Sequence, residues 1–162
     1  MTETIIFVLG LVLDRLSKMW ISANFVGRST PVIEGVLDFT YAENTGAAFG
    51  IFSDNTFLLS IFSAVMSLVL IAILVFYWKK YSSLTRFSLS MIISGAVGNC
   101  IDRFVYGAVV DFIEFKFVNF AIFNIADIFI TMGTILLVMA VIFTETDDIV
   151  KKKDKDGTQD NG

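Results

Sequence analysis

Histidine is absent from this chain, and cysteine and proline occur once each. Without an imidazole there is no Ser–His–Asp or Cys–His nucleophile and no histidine-bound metal. The lone Cys100 has no partner for an intrachain disulfide, and its expected role is that of a small helix-packing residue. Proton transfer therefore falls to carboxylates, lysines and tyrosines. Charge is scarce as well: 17% of the 162 residues are charged against 56% hydrophobic. With a mean hydropathy of +0.76, the chain is more apolar than soluble domains, which run about 45–50% apolar. It reads as a membrane protein. The formal net charge of −4 identifies no partner, because the acids are scattered and only the tail is densely charged.

Four apolar segments stand out, at about 5–21, 57–78, 87–103 and 127–144. A membrane-crossing helix needs ~20 apolar residues. The segment 57–78 meets this without a single charge and ends on Trp78, Lys79 and Lys80, an aromatic and basic interface anchor. The first segment is interrupted by Asp14, Arg15, Ser17 and Lys18, and its apolar half is too short to span alone. It is not expected to be a cleavable signal peptide, because no basic stretch precedes it. Asp14 and Lys18 stand at i, i+4 spacing, so they share a helix face and neutralise each other. Such a pair either anchors a helix end at the interface or points into a functional cavity. In the third segment Ser94, Gly95, Ala96 and Gly98 make a narrow helix that a neighbour can approach closely. Asp102, beside Arg103, is expected to form a buried structural ion pair with it, since an acid held ionised by a guanidinium is a poor proton donor.

Two segments, 22–56 and 104–126, are expected outside the hydrocarbon. PVIEGVLDFTYAE has strand character around turn formers, and the NTGAAFG run that follows puts small residues beside an amide. From Phe112 to Phe120 apolar residues alternate with Glu114, Lys116 and others, the period of a half-buried strand. A fold-back near Val118 and Asn119 would make a hairpin that brings Asp111 and Asp127 together at its open end. Asp127 also suits a helix cap, since helix N-termini favour anions. Residues 147–162 are charged, poor in apolar side chains and expected to be a disordered tail. Residues 1–146 are expected to form one integral-membrane domain.

Lys79, Lys80, Arg86, Lys151, Lys152, Lys153 and Lys155 fall on one side of this four-span arrangement, and Arg28, Arg103 and Lys116 on the other. The basic side is cytoplasmic, which puts both termini inside. Asp14, Asn44, Asn99, Asp102, Asp111, Asn124 and Asp127 then converge on the extracytoplasmic face. Acids at a membrane border are costly unless paired or wetted, and two of them can share one proton. That chemistry is an aspartic peptidase's: one ionised acid activates water, and the protonated partner hydrogen-bonds the scissile carbonyl and returns a proton to the leaving amine. No metal or cofactor is required. A proton- or ion-coupled transporter also carries intramembrane acids, but usually with internal repeats and midplane sites. A non-catalytic membrane chaperone for lipidated clients is the other alternative.

The motifs DRLSK (Asp14 to Lys18), ENTGAAFG (Glu43 to Gly50), GAVGNCIDR (Gly95 to Arg103), VVDF (Val109 to Phe112) and FNIAD (Phe123 to Asp127) occur in this order. Together they resemble bacterial lipoprotein signal peptidase (signal peptidase II), from Ile5 to Thr144. The resemblance implies an all-α bundle of four transmembrane helices with a small extracytoplasmic β-sheet. It implies a cell-membrane endopeptidase that cuts diacylglyceryl-modified prolipoproteins just before the lipidated cysteine, with Asp111 and Asp127 catalytic. Asp14, Lys18, Asn44, Gly46, Asn99, Asp102, Arg103, Asn124 and Ala126 match positions that line or brace the site. The chain departs from the family at Ala121, where many members carry proline. Nothing demands more than a monomer, in contact with lipid and prolipoprotein but not with nucleic acid.

Overall fold

The structure is a computed structural model that describes residues 1–46 and 56–159. The elements follow in the order α1 (Thr2–Asn24), β1 (Ser29–Ile33), β2 (Leu37–Asn44), α2 (Thr56–Phe76), α3 (Ser83–Tyr106), β3 (Val109–Phe115) and α4 (Ile125–Gln159). By length and composition α2, α3 and the part of α4 up to Phe143 are long and apolar enough to cross a membrane. Helix α1 is one residue shorter than α3 but carries Glu3, Asp14, Arg15 and Lys18, which take it out of that class. Of the small-residue run at 44–50, residues 47–50 lie outside the described residues. The tail, expected to lack structure, continues α4 as helix to Gln159. Lysine there is a good helix former.

Helix α3 is the centre of the bundle and packs against α1, α2 and α4. Small residues permit this. A Cβ at Gly95 would collide with the carbonyl oxygen of Ala126 on α4 and lie 2.8 Å from Ile130 Cγ1. Ser94 Oγ donates to the Phe7 carbonyl of α1 at 2.9 Å, a cross-helix bond of the kind that holds helices together where water is absent. The start of α3 is capped by Ser82, whose side chain accepts from the Thr85 amide. Its end is a left-handed Gly107, whose N–H bonds Arg103 O. That turn feeds directly into β3.

The strands form an antiparallel sheet in the order β1-β2-β3. The strand character of 31–43 thus resolves into two strands around a turn at 34–36. Strand β3 takes β2 as its ladder partner, with Ala42 opposite Asp111 and Asn44 opposite Val109. The hairpin expected after Asp111 is only partly formed. The chain does fold back, but it meets β3 through a single bridge, Ile113 to Phe123, not a second strand. Phe117 and Val118, expected to continue the alternation, lie beyond the strand and are exposed. The fold-back still delivers Asn124 and α4 next to Asp111. Ile21, Phe112 and Ile113 form the core between α1 and the sheet. Phe39 stacks edge-on against Phe25 and Phe112, with ring centroids 5.9 Å apart in each pair.

Gly95→Val is expected to force α3 and α4 apart and to cost about 1–3 kcal/mol, as overpacking does. Gly107→Ala, strained at φ +74° but with open space around it, is expected to cost about 1 kcal/mol. Thermal unfolding in detergent checks both. A Gly95→Val protein as stable as the parent would contradict this packing.

Candidate active site

Asn124 immediately precedes α4, and its side chain caps the helix. Its Oδ1 accepts the Asp127 amide at 3.0 Å, while Asp127 Oδ2 accepts the Asn124 amide at 3.1 Å. This is a reciprocal capping box, N-x-x-D in sequence. Asp127 is therefore the third residue of the helix and not its cap. The next free amide at this end, Ala126 N–H, is taken by Asp14 Oδ1 of α1 at 3.0 Å. Two carboxylates thus lie at the positive end of α4's dipole.

Asp111, on β3, is 3% exposed and accepts hydrogen bonds on both oxygens. Asn44 Nδ2 reaches Oδ2 at 2.8 Å and Asn124 Nδ2 reaches Oδ1 at 2.6 Å. Asp127 is matched in the same way: Asn99 Nδ2 donates to Oδ1 at 2.8 Å, and the Asn124 amide takes Oδ2. Among the described residues each of the four carboxyl oxygens has one N–H donor. Burial pushes the Asp111 carboxyl up to about 6; the Asn44 hydrogen bond opposes this and the charge of Asp127 adds to it. The two acids line one cavity of about 460 Å³ with Asn44, Arg103, Phe123 and Met132.

Behind the pair lies a buried charge cluster. Lys18, 2% exposed, places Nζ 2.8 Å from Asp14 Oδ2, 2.9 Å from Asn99 Oδ1 and 2.7 Å from Asp102 Oδ2. The i, i+4 pair of α1 therefore faces the interior, where Lys18 holds the oxygen of the amide that serves Asp127. Asp102 does not pair with Arg103, as expected from their adjacency. Successive helical residues point about 100° apart, and Asp102 instead meets Lys18 and Arg15 of α1, the latter at 3.2 Å. Arg15 also lies over the Tyr106 ring and donates to its hydroxyl. Arg103 turns into the cavity, donates to Gly46 O at 3.1 Å and Asn99 O at 3.4 Å, and its buried Nε has no partner among the described residues.

The structure thus brings together Asp14, Lys18, Asn44, Gly46, Asn99, Asp102, Arg103, Asp111, Asn124, Ala126 and Asp127 in one connected network. Gly46 enters through its backbone, its N–H going to Asn44 Oδ1 and its carbonyl to Arg103. Ala126, 1% exposed, enters through its amide. Sequence reasoning missed Arg15 and Tyr106 as members of the layer. The signal for Arg15 was its place one residue from Asp14; Tyr106 had none. Among the described residues, no group of three or more Asp, Glu or Cys is arranged to hold a metal ion.

Lys18→Met would leave Asp14 and Asp102 buried without their shared cation. Breaking a buried ion pair in this way costs about 3–5 kcal/mol. For a chain of this size that is a fall in Tm of roughly 10 °C, to be read by thermal unfolding in detergent. An unchanged Tm would mean the cluster is more solvated than its burial implies.

Known proteins are similar to this chain in sequence and in fold. Residues 6–143 match the family model described as Signal peptidase (SPase) II. The lipoprotein signal peptidase of Clostridium tetani is 46% identical over 145 residues, covering 86% of this chain and 92% of that protein. That of Clostridium acetobutylicum is 41% identical over 150 residues, covering 88% and 95%. A bacterial membrane enzyme solved by the in meso method at 2.3 Å superposes with a TM-score of 0.79 at 33% identity, covering 90% of each chain. A second, at 1.9 Å, gives 0.74 at 34% identity. With the family model matched over nearly the whole helical and sheet region, this chain belongs to the signal peptidase II family.

Proposed function

We propose that Asp111 and Asp127 act as a proton-sharing aspartic pair in this signal peptidase. The chain is a membrane hydrolase that removes signal peptides from prolipoproteins. The observation that carries the aspartic mechanism is the meeting of two carboxyl groups, one from β3 and one from α4, in one cavity. Close carboxyls resist double ionisation. Asp111, with its carboxyl at about 6, keeps the proton. Asp127, supplied by a helix N-terminus and Asn99, is the base. It takes a proton from water as the oxygen attacks the scissile carbonyl, while Asp111 hydrogen-bonds the carbonyl oxygen. Collapse of the tetrahedral intermediate breaks the C–N bond, and the amine leaves with a proton. No covalent intermediate forms.

The same cavity accounts for a lipidated substrate. Phe120, Ile122, Phe123, Ile128 and Met132 give it an apolar wall that continues onto the exposed face of α4. Acyl chains of a diacylglyceryl cysteine can enter there from the bilayer while the peptide bond meets the acids. In this reading α1 also crosses the membrane, because Asp14 and Lys18 are held inside the bundle. The excess of lysine and arginine sets both termini in the cytoplasm and the site at the outer face. One chain supplies every residue of the network, so a monomer suffices.

Asp111→Asn and Asp127→Asn are each expected to abolish cleavage of a lipidated prolipoprotein in detergent or liposomes while the protein stays folded. Retained cleavage in either variant would remove that residue from the chemistry. Substrate lacking the diacylglyceryl group is expected to be cut poorly or not at all.

The pH profile follows from the sign of the Asp111 shift. Its proton is lost as pH rises through about 6, so kcat/KM is expected to fall about tenfold per unit on the alkaline side. The limb in kcat lies higher, because bound substrate excludes more water from the carboxyl. A kcat/KM that rises through this range would contradict Asp111 as the acid.

A further inference from the structure

We propose that Asn124 is a positioning residue with two separable ends: its carbonyl oxygen builds the start of α4, and its NH2 group holds the proton-carrying Asp111. The proposal rests on the aspartic-pair reading. Asn124 is fully buried, and its amide is oriented by its partners. Oδ1 accepts the Asp127 amide, a donor, so Nδ2 must point the other way. Its two protons go to Asp111 Oδ1 at 2.6 Å and Asn99 Oδ1 at 3.2 Å. Turning the amide over would set an N–H against an N–H at Asp127 and an oxygen against a carboxylate at Asp111. The cap therefore locks the donor toward Asp111.

Asp111 is faced by Asn44 from β2, Asp127 from α4, and the more distant charges of Lys18 on α1 and Arg103 on α3. Among the described residues that hydrogen-bond Asp111 or Asp127, Asn124 alone touches both acids, through side chain on one and backbone on the other. A donor to a carboxylate favours its ionised form. The Asn124 bond thus keeps Asp111 from holding its proton too tightly, which the step that hands that proton toward the leaving amine requires.

The two ends can be cut apart. Ser is as good a cap as Asn but has no NH2 to offer. Asn124→Ser is expected to keep Tm within a few degrees of the parent. Its alkaline limb of kcat/KM moves up by about one pH unit, the size of a hydrogen bond to a charged group. It is also expected to lose kcat while KM for a lipidated prolipoprotein stays within about twofold. Asn124→Asp, isosteric and still a cap, puts an acceptor against Asp111 and is expected to move the limb the same way and further. Should Asn124→Ser unfold, the Asp variant gives the same reading. Asn124→Ala, which loses the cap as well, is expected to lower Tm. Wild-type limbs in the folded Ser or Asp variant, with Asp111→Asn inactive, overturn the role of Asn124 and leave the acid pair standing. An active Asp111→Asn protein would instead remove the pair itself.

Discussion

The cost of keeping carboxyl groups out of water governs this structure. Asp14, Asp102, Asp111 and Asp127 are gathered at one end of an apolar bundle, the first three at 3% exposure each. The cations set among them are Lys18, Arg15 and Arg103. Among the described residues these acids outnumber these cations by one, and a surplus buried charge is neutralised more cheaply by a proton than by burial as an ion. Lys18 and Arg15 sit against Asp14 and Asp102, which leaves the surplus with Asp111 and Asp127. The proposed sharing of one proton between Asp111 and Asp127 would meet that surplus. The structural ion cluster and the proposed acid pair are parts of a single charge balance.

The rest of the fold serves to hold that layer. Helix α3 accepts close neighbours because its packing faces are glycine and serine, and its Asn99 bridges Lys18 to Asp127. The sheet brings Asn44 and Asp111 side by side across β2 and β3, so the donor and the acid are fixed by the same ladder. The fold-back after β3 then places the start of α4 against it. A shift of α4 along α3 would break the Asn124 bond to Asp111, the Asp14 bond to Ala126 and the Asn99 bond to Asp127 at once. Position of the acids is thus coupled to helix packing some distance away.

Much of the layer was readable in the sequence, because it rests on spacing and on topology. Asp14 and Lys18 are four apart, and the distribution of lysine and arginine gathers the scattered polar residues at one face. The motif N-x-x-D at Asn124 and Asp127 is also a local signal, though periodicity alone led to Asp127 as the cap. What was not readable depends on contacts between elements. Asp102 has an arginine next to it in sequence, yet its partners come from α1, since adjacent residues on a helix diverge. The alternation after Asp111 marked a strand correctly but not its partner, which lies nearly 70 residues earlier in the chain on β2. The charges within α1 obscured a helix whose polar face also finds partners on α3 and α4.

The distribution of polar groups along the helices separates hydrolysis from transport. Between Glu3 and Asp14 on α1, between Arg86 and Asp102 on α3, and across all of α2, no Asp, Glu, Lys or Arg occurs. At 1.5 Å per residue this leaves at least roughly 16 Å of helix without an acid or base. Buried hydroxyls in that zone are bound to backbone carbonyls: Ser60, Ser67, Ser88 and Ser90 to carbonyls of their own helices, and Ser94 to Phe7 O of α1. Such hydroxyls satisfy backbone and line no path. A proton or ion leaving the acid layer toward the other side of the membrane would meet no stepping stone among the described residues. That distribution suits the proposed hydrolytic site at one end of the bundle better than a path through it.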